Sequence, residues 1–271
     1  MAPTNLLAGK TAIITGGTTG IGRAITLAFL AQGCDVAVNH LDLPNDTPHL
    51  TSLLAAASDL RTTNPTAGRL AHLPGDVRDP ATGPALVAFA LTSFQTPRLD
   101  ICVSNAGICT FADLLDMDGA LFTNTVRTNL DGAFYVVQAA ARQMARGQSP
   151  PGGSIIGISS ISALVGGGQQ AHYTPTKAGV LSLMQSAACA LGGYGIRCNA
   201  LLPGTIRTQL NEGDLKDEGK KKYMEGRIPL GRTGEPADLG GPAVFLASDE
   251  LSGYVTGAQL LVDGGLFVNL Q

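Results

Sequence analysis

Short apolar runs alternate along the chain with segments whose apolar residues recur at helical spacing. Runs such as Ile101–Ser104 are apolar almost throughout, which is typical of strands that are buried on both faces of a parallel sheet. Bounded by polar or glycine-rich stretches, these runs predict seven strands: Thr11–Thr15, Asp35–Asn39, Arg69–Leu73, Ile101–Ser104, Ser154–Ile158, Arg197–Leu202 and Gln259–Val262.

The segments between these strands fit helices. In Ile21–Gln32 and Thr176–Leu191 the apolar residues fall three and four positions apart and share one face, and Thr51–Arg61 fits a third helix. Because strand and helix alternate, we expect an α/β protein with a doubly wound parallel sheet and helices on both faces. No internal repeat is present, and residues 1–271 are predicted to form a single domain.

Two stretches interrupt the alternation. Leu41–Gly68 begins with a polar, proline-containing segment. Asn211–Arg227 is the most highly charged part of the chain, and it lies between the sixth and seventh strands. It fits either a mobile lid over a substrate site or a pair of solvated helices, and the pattern does not separate the two.

The composition agrees with one large core and excludes several classes of protein. Of the 271 residues 44% are hydrophobic and only 14% are charged, so a disordered chain is not expected. The net charge of -3 and the lack of a basic stripe argue against a nucleic-acid partner. The single basic run, Lys220–Lys222, lies among acidic residues and fits a solvated face.

The cysteines and the termini favour a cytoplasmic enzyme without a membrane partner. No secretory signal and no apolar run long enough to span a bilayer are apparent. Five scattered cysteines without a CxxC spacing predict free thiols and no metal site; they are Cys34, Cys102, Cys109, Cys189 and Cys198.

A glycine-rich turn follows the first strand and leads into a helix. Its glycines, Gly16, Gly20 and Gly22, have the spacing G-x-x-x-G-x-G, with Thr18 and Ile21 between them. Glycines allow close approach of a pyrophosphate, and the helix start offers free N–H groups and the positive end of its dipole. Any tight turn favours glycine, but the strand before the turn and the amphipathic helix after it favour a dinucleotide site.

The end of the second strand is where such folds distinguish the two forms of the adenosine ribose. An acid there accepts from the 2′-hydroxyl of NAD, and an arginine accommodates the 2′-phosphate of NADP. This chain has Asn39 and His40 at that point, then Asp42, and no lysine or arginine between Val36 and Leu60. The pattern favours NAD with NADP tolerated, although Asp42 fits an exposed turn residue equally well.

Tyr173 and Lys177 form a Y-x-x-x-K pair at the start of a helix, so both side chains lie on one face. An ammonium group held there stabilises tyrosinate, and a tyrosine with a lowered pKa can exchange a proton with an alcohol. Ser160, 13 residues upstream and just beyond the fifth strand, can hold the substrate oxygen. Ser159 and Ser162 are alternatives, and the spacing to Tyr173 favours Ser160.

Small and polar residues complete the predicted cleft. At the end of the fourth strand, Asn105, Ala106 and Gly107 would let a flat cofactor lie against the backbone. Asn129 lies within an apolar helical pattern, where an amide needs a partner or a water. It is either part of the site or a structural asparagine whose hydrogen bonds are satisfied internally.

Together the motifs TGGTTGIG, Gly75-Asp76-Val77, SNAG, Asn129, Ser160, Tyr173 and Lys177, with Pro203-Gly204-Thr205 and Val262-Asp263-Gly264-Gly265, resemble the short-chain dehydrogenase/reductase family from about Gly9 to Phe267. The resemblance implies a Rossmann-type fold with strand order 3-2-1-4-5-6-7, a homotetramer, and an Asn–Ser–Tyr–Lys catalytic set. It also implies that Asn129 holds a water that relays protons past Lys177. Ser104 replaces the first asparagine of the usual NNAG.

The same resemblance implies how the cofactor is bound. Asp76 and Val77 would contact the adenine, Lys177 would hold the ribose, and the segment after the sixth strand would flank the nicotinamide. The complete predicted cofactor site consists of Gly16, Thr18, Gly20, Ile21, Gly22, His40, Asp76, Val77, Asn105, Ala106, Gly107, Tyr173, Lys177, Pro203, Gly204, Thr205, Ile206 and Thr208.

Within the family, stretches such as GSIIGISSISALVGGG and HYTPTKAG are similar to the fungal L-rhamnose 1-dehydrogenases. That similarity implies NAD(P)-dependent oxidation of the anomeric carbon of a sugar to a 1,4-lactone. Another aldose dehydrogenase or a 3-oxoacyl reductase is the alternative within the family, and a dinucleotide-binding sensor that lacks catalysis is the alternative outside it. The predicted substrate contacts are Ser160, Ser162, Gln170, Tyr173 and Thr205.

Overall fold

The computed structural model describes residues 5–211, 213 and 216–269. The strands are β1 Thr11–Thr15, β2 Asp35–His40, β3 Leu70–Pro74, β4 Ile101–Ser104, β5 Gly153–Ile158, β6 Ile196–Pro203 and β7 Gln259–Val262. The helices are α1 Gly20–Ala31, α2 Thr47–Thr63, α3 Thr82–Phe94, α4 Gly119–Val126, α5 Gly132–Arg142, α6 Thr174–Leu191, α7 Glu218–Arg227, α8 Gly240–Ala247 and α9 Asp249–Ser252.

All seven strands form one parallel sheet in the order β3-β2-β1-β4-β5-β6-β7. The predicted fold class is confirmed, and each predicted strand end lies within one residue of the observed one. In this order β2 and β3 lie on one side of β1, and β4 to β7 lie on the other, so the strand order reverses between β1 and β4. In sheets of this type ligands bind beyond the carboxyl ends of the strands at such a reversal.

Alternate residues of each strand pack into separate cores on the two faces of the sheet. Ile13 of β1 faces the core that α3, α5 and α6 cover, whereas its neighbour Ile14 faces the core under α1 and α8. Both isoleucines are fully buried. This arrangement explains why the central strands are apolar at every position.

Two helices begin earlier than the sequence pattern indicates. The apolar spacing predicts a start at Thr176, but α6 begins at Thr174 and places Pro175 in its first turn. Likewise α2 begins at Thr47 with Pro48 next. Proline is well tolerated in a first turn because the N–H groups there have no intrahelical acceptor. Both prolines therefore lie inside the observed helices, although the apolar pattern starts after them.

The path from α4 to α5 contains a wide helical turn that the sequence pattern did not indicate. Arg127–Asp131 is π-helical and joins α4 to α5 without a break. Such wide turns often occur at functional sites. Here the turn carries Asn129, which is buried.

The charged segment before β7 contains helix α7, capped by Asp217, and this helix has no buried residue. That observation agrees with a solvated helix, one of the two interpretations of the segment. Residues 212, 214 and 215 of the predicted lid lie outside the described residues. Within the described part of the chain, no helix has the length and apolarity needed to cross a membrane.

Candidate active site

The turn after β1 is built for close approach of a ligand to the backbone. Gly16 has a φ of +61°, a conformation that residues with side chains rarely adopt. A Cβ atom on Gly22 would lie 2.2 Å from the main-chain oxygen of Gly16 and 2.5 Å from Nδ2 of Asn105. The first turn of α1 therefore packs directly on the glycine-rich turn and leaves its N–H groups facing the cleft.

The side chain of Asn105 braces this turn. Its Nδ2 donates to the main-chain oxygens of Thr15, at 2.9 Å, and Gly16, at 3.1 Å. In return, the hydroxyl of Thr15 accepts from the backbone N–H groups of Asn105 and Ala106, each at 3.0 Å. The predicted cofactor residue Asn105 thus also joins the end of β4 to the glycine-rich turn.

On the adenosine side, the ends of β2 and β3 carry the predicted residues. His40 ends β2 and is buried, and Asn39 beside it donates 2.7 Å to the oxygen of Gly75. The Arg78 guanidinium forms a forked pair with the Asp76 carboxylate, which lowers the pKa of Asp76. Arg78 also donates to Oδ1 of Asn124 on α4 at 2.7 Å. This bond connects α4 to Asp76, a residue of the predicted adenine site.

On the nicotinamide side, the segment after β6 folds back over the glycine-rich turn. A Cβ atom on Gly20 would lie 3.3 Å from Cγ2 of Thr208, so these two predicted residues meet across the cleft. Asn211 fixes the segment, because its side chain accepts from the Thr208 N–H and donates to the oxygen of Ile206. The oxygen of Thr205 accepts from the N–H of Gly234 at 2.9 Å.

Ser160, Tyr173 and Lys177 come together at the carboxyl end of β5. Ser160 follows the strand, Tyr173 immediately precedes α6, and Lys177 lies in the first turn of that helix. The hydroxyl groups of Ser160 and Tyr173 are hydrogen-bonded to each other. Nζ of Lys177 donates to the oxygen of Ile158 at 3.0 Å.

The geometry separates the three candidate serines. The hydroxyl of Ser159 donates 2.7 Å to the main-chain oxygen of Lys177, so it holds the start of α6 against β5. The backbone N–H of Ser162 donates to Oγ of Ser160 at 3.1 Å. Ser160 is therefore the serine whose hydroxyl reaches the tyrosine.

Burial dominates the ionisation of Tyr173 and Lys177. It raises the pKa of Tyr173 well above the ordinary value, and the hydrogen bond from Ser160 lowers it only in part. Burial also lowers the pKa of Lys177 to about 8. The predicted lowering of the tyrosine pKa by the lysine does not appear, because both groups lose the solvation of their charged forms.

Asn129 has structural partners on both sides of its amide. Its Oδ1 accepts from the N–H of Ile108 at 2.8 Å, and Nδ2 donates to the oxygen of Ile108 and to Oγ1 of Thr176. A Cβ atom on Gly107 would lie 3.3 Å from Oδ1 of Asn129 and 3.5 Å from Nζ of Lys177. Asn129 thus holds the loop after β4 against α6 while its carbonyl group stays near the lysine.

Cys109 also lines this site, although no sequence motif indicated it. Nε2 of Gln170 donates to its Sγ at 3.6 Å, and the thiol is close enough to affect the ionisation of Tyr173 and Lys177. Its place four residues after Asn105, in the loop beyond β4, was the only sequence signal. The predicted substrate contacts Gln170 and Ser162 are both half-buried beside the catalytic residues.

These residues fit a dinucleotide lying across the strand ends. Gly16 and Gly22 pack so closely on Asn105 and on each other that neither has room for a side chain. A turn without side chains is what the close approach of a pyrophosphate requires. The two ends of the cleft, at His40 and at Thr205, lie on either side of that cradle along the sheet order.

Comparisons with known proteins agree with this geometry. The family model described as enoyl-(acyl carrier protein) reductase matches residues 16–267. The L-rhamnose-1-dehydrogenase of Scheffersomyces stipitis is 57% identical over 99% of this chain and 100% of its own length. The L-rhamnose 1-dehydrogenase (NAD(P)(+)) of a Sphingomonas species is 53% identical, with coverage of 98% and 99%.

A solved structure shares both fold and sequence. The short-chain type dehydrogenase/reductase of Mycobacterium marinum superposes with a TM-score of 0.84 at 34% identity, with 96% of each chain covered. The resemblance stated from the motifs is thereby confirmed: this chain belongs to the short-chain dehydrogenase/reductase family.

Proposed function

We propose that this protein oxidises the anomeric carbon of L-rhamnose and transfers the hydride to NAD or NADP. The observation that carries the proposal is the cluster of Ser160, Tyr173 and Lys177 beside the glycine-rich turn. Support for the sugar comes from the two relatives named above, which are more than half identical to this chain over nearly the whole length.

The chain's own residues would move the proton and hold the sugar. Tyr173, as tyrosinate, takes the proton of the anomeric hydroxyl, and Ser160 holds the same oxygen while the carbonyl forms. Lys177 holds the nicotinamide ribose and balances the charge of the tyrosinate, while Asn129 fixes the loop beside it. When bound, the oxidised nicotinamide supplies the acceptor for the hydride from C1. The product is a lactone, the 1,4-lactone where the ring closes through O4.

The remaining predicted contacts follow the same layout. The turn Gly16–Gly22 and the segment Pro203–Thr208 hold the two halves of the cofactor, and Asp76 with Val77 holds its adenine. Ser162, Gln170 and Thr205 face the sugar. One sheet carries both halves of the site, so we treat the chain as a single catalytic domain. The segment 211–227 stays a lid only as a prediction.

A panel of substrates tests the proposal. Initial rates are measured by nicotinamide absorbance with L-rhamnose, L-mannose, L-lyxose, D-glucose and a 3-oxoacyl thioester. We expect L-rhamnose to give the highest kcat/KM and the thioester to give none. Failure to oxidise any aldose would overturn the sugar assignment, and bound cofactor without turnover of any compound would favour the non-catalytic sensor.

NAD is the proposed preferred cofactor, with NADP accepted. No lysine or arginine lies between Val36 and Leu60, and no acidic side chain ends β2. The ratio of kcat/KM for the two cofactors at saturating sugar measures the preference. A tenfold preference for NADP, equivalent to about 1.4 kcal/mol, would contradict it.

Assembly as a homotetramer in the cytoplasm completes the proposal. Phe122 on α4 and Phe134 on α5 are 45% and 42% exposed, which is unusual for phenylalanine and fits an interface with a second copy. Free cysteines in the described chain fit a reducing compartment. Light scattering at micromolar concentration should give four times the chain mass, and a monomer would refute the assembly.

A further inference from the structure

Two histidines face each other at the end of the cofactor cleft where the adenosine ribose would lie. His40 ends β2, and His72 lies on the neighbouring strand β3. Val38 is paired with His72 in the sheet register, so His40, two residues further, is the diagonal neighbour on the same face. Nε2 of His40 and Nδ1 of His72 are 3.2 Å apart.

The hydrogen bonds fix the tautomers of the neutral pair. The backbone N–H of Asp42 donates to Nδ1 of His40 at 3.1 Å, so this nitrogen carries no proton. The proton of neutral His40 is therefore on Nε2, where it donates to Nδ1 of His72. The remaining proton of His72 is then on its Nε2. A further proton can be added only if one of these hydrogen bonds breaks.

Protonation of the pair changes what the turn presents to a ligand. Adding one proton, on either ring, leaves the hydrogen bond between the rings and places a proton on Nδ1 of His40. The Asp42 N–H then loses its acceptor, and two donors about 3 Å apart point toward the same space. Asp42 has a φ of +63°, the left-handed conformation found in backbone turns that bind anions.

We propose that the His40–His72 pair selects between the 2′-hydroxyl and the 2′-phosphate of the cofactor, and that the selection depends on pH. The neutral pair carries no charge, and the Nδ1 lone pair of His40 is already used by the Asp42 N–H, so the pair offers no donor to a phosphate and the hydroxyl form is favoured. The protonated pair presents a positive charge and two N–H donors and favours the phosphate form. This inference rests on the proposed dinucleotide site but not on the identity of the sugar.

The charges around the pair set the pH range. Burial and the neighbouring His72 lower the pKa of His40, while the carboxylates of Asp42 and Asp46 raise it. Asp46 accepts from the N–H of Leu43 in its own turn, at 3.2 Å. The glycine-rich turn carries no titratable side chain, and His49 at the start of α2 is exposed. Protonation of the pair is therefore expected only on the acidic side of neutrality.

Direct binding of the two cofactors tests the inference without any sugar. Dissociation constants of NAD+ and NADP+ are measured by titration calorimetry between pH 5.5 and 8.5 for the wild type and for His40→Asn, His72→Asn and His49→Asn. The 2′-phosphate of the free cofactor titrates with a pKa of about 6, and this is the same in every experiment, so the variants are compared at equal pH to cancel that effect.

Between pH 8 and pH 6 the affinity for NADP+ relative to NAD+ should rise in the wild type and in His49→Asn. That rise should be at least about fivefold larger than the rise in His40→Asn. In His72→Asn the rise should move to higher pH, because the neighbouring ring no longer opposes a proton on His40. This variant also decides the matter if His40→Asn does not fold.

Two failures are distinguishable. A relative affinity that follows the same pH curve in the wild type and in His40→Asn, or an unmoved curve in His72→Asn, would overturn the inference while leaving the proposed function intact. Binding of neither cofactor by the folded wild type would instead refute the dinucleotide site itself.

Discussion

Nζ of Lys177 lies 5.5 Å from the centre of the Tyr173 ring and donates to the oxygen of Ile158 at 3.0 Å. Lys177 is buried, so water does little to solvate its charge, and its pKa falls to about 8 while that of Tyr173 rises. Two ionisable groups this close interact, so their titrations are coupled. The first proton lost on raising the pH belongs to the pair rather than to either residue.

The pH dependence of catalysis should report this shared proton. The reacting form lacks one proton, so kcat/KM for the sugar should rise with pH through an apparent pKa below that of free tyrosine and then level. Free tyrosine would give an inflection near pH 10. A profile that is flat from pH 5 to 9, with chemistry shown to be rate-limiting, would remove Tyr173 from the role of base.

Lys177→Met should move that inflection upward, because Tyr173 must then lose its proton without a neighbouring ammonium. The same substitution should weaken cofactor binding, since the ammonium also holds the ribose. Lys222→Met, at an exposed position on α7, is the control and should change neither quantity. An inflection that stays in place in Lys177→Met would refute the role given to the lysine but not that of the tyrosine.

Stability should depend on pH through the same lysine. Its folded-state pKa lies below the ordinary value of 10.5, so between about pH 8 and 10.5 the unfolded chain binds more protons than the folded one. The free energy of unfolding should therefore rise with pH across that window. Below pH 8, Lys177→Met should relieve up to about 3 kcal/mol of this cost.

Urea unfolding at pH 7.5 and 9.5 measures the effect. The advantage of Lys177→Met over the wild type should shrink at the higher pH. Above pH 10 the raised pKa of Tyr173 acts in the opposite direction, so the comparison stays below that value. A constant difference between the two proteins would show that the lysine is not desolvated.

Removal of the two hydroxyl groups should separate catalysis from binding. Tyr173→Phe should lower kcat at least about 1000-fold, since it removes the proton acceptor, and Ser160→Ala about 100-fold. Both variants should bind NAD within about twofold of the wild type. Ser58→Ala, at an exposed position on α2, is the matched control and should change neither quantity. A loss in Ser162→Ala comparable to that in Ser160→Ala would reassign the role of Ser160.

The glycine-rich turn offers a steric test. Gly22→Ala would place a methyl group 2.2 Å from the oxygen of Gly16, so the turn must open and cofactor affinity should fall at least about 100-fold. Gly241→Ala in α8 is the control, since its added methyl group meets no atom within 4 Å. It should keep full affinity and stabilise the fold by about 0.5–1 kcal/mol. Titration calorimetry with NAD distinguishes the two, and equal affinities would contradict a cradle at this turn.

The fold could be predicted because its signals are local. Continuous apolar runs identify buried parallel strands, and the glycine-rich turn marks where β1 meets α1. The π-helical turn Arg127–Asp131 could not be predicted in this way, because no local residue pattern marks it. Its cause is tertiary: the amide of Asn129 bonds to the backbone of Ile108, a residue 21 positions away.

The site was predictable only where its residues have fixed spacing. Tyr173 and Lys177 are one helical turn apart, so the sequence places them together. The contacts of His40 with His72 and of Gln170 with Cys109 join residues 32 and 61 positions apart, and they depend on strand register and loop packing. The raised pKa of Tyr173 was also missed, since the spacing of residues does not give their degree of burial.

The last prediction concerns a buried arginine far from the catalytic residues. Arg197 on β6 has a side chain that is 9% exposed, and it donates to the oxygen of Leu246 at 2.8 Å and to Oγ of Ser252 at 2.9 Å. It also contacts Oδ1 of Asp249 at 3.1 Å, and Lys10 contacts the other carboxylate oxygen at 2.7 Å. These bonds hold β6 against the end of α8 and against α9.

Arg197→Met should cost about 2–4 kcal/mol of the free energy of unfolding, because buried acceptors lose a charged donor. Lys10→Met is the control: its pair is largely exposed, so less than about 1 kcal/mol is expected.

The two ion pairs lower the pKa of Asp249 although its partial burial raises it, so their contribution is present at neutral pH and is lost as the pH falls through that pKa. The difference between Arg197→Met and the wild type, measured by urea unfolding, should therefore narrow in acid. A cost below about 0.5 kcal/mol at pH 7 would show that water replaces the guanidinium without loss, and a difference that does not narrow in acid would assign the cost to the carbonyl and hydroxyl acceptors rather than to Asp249.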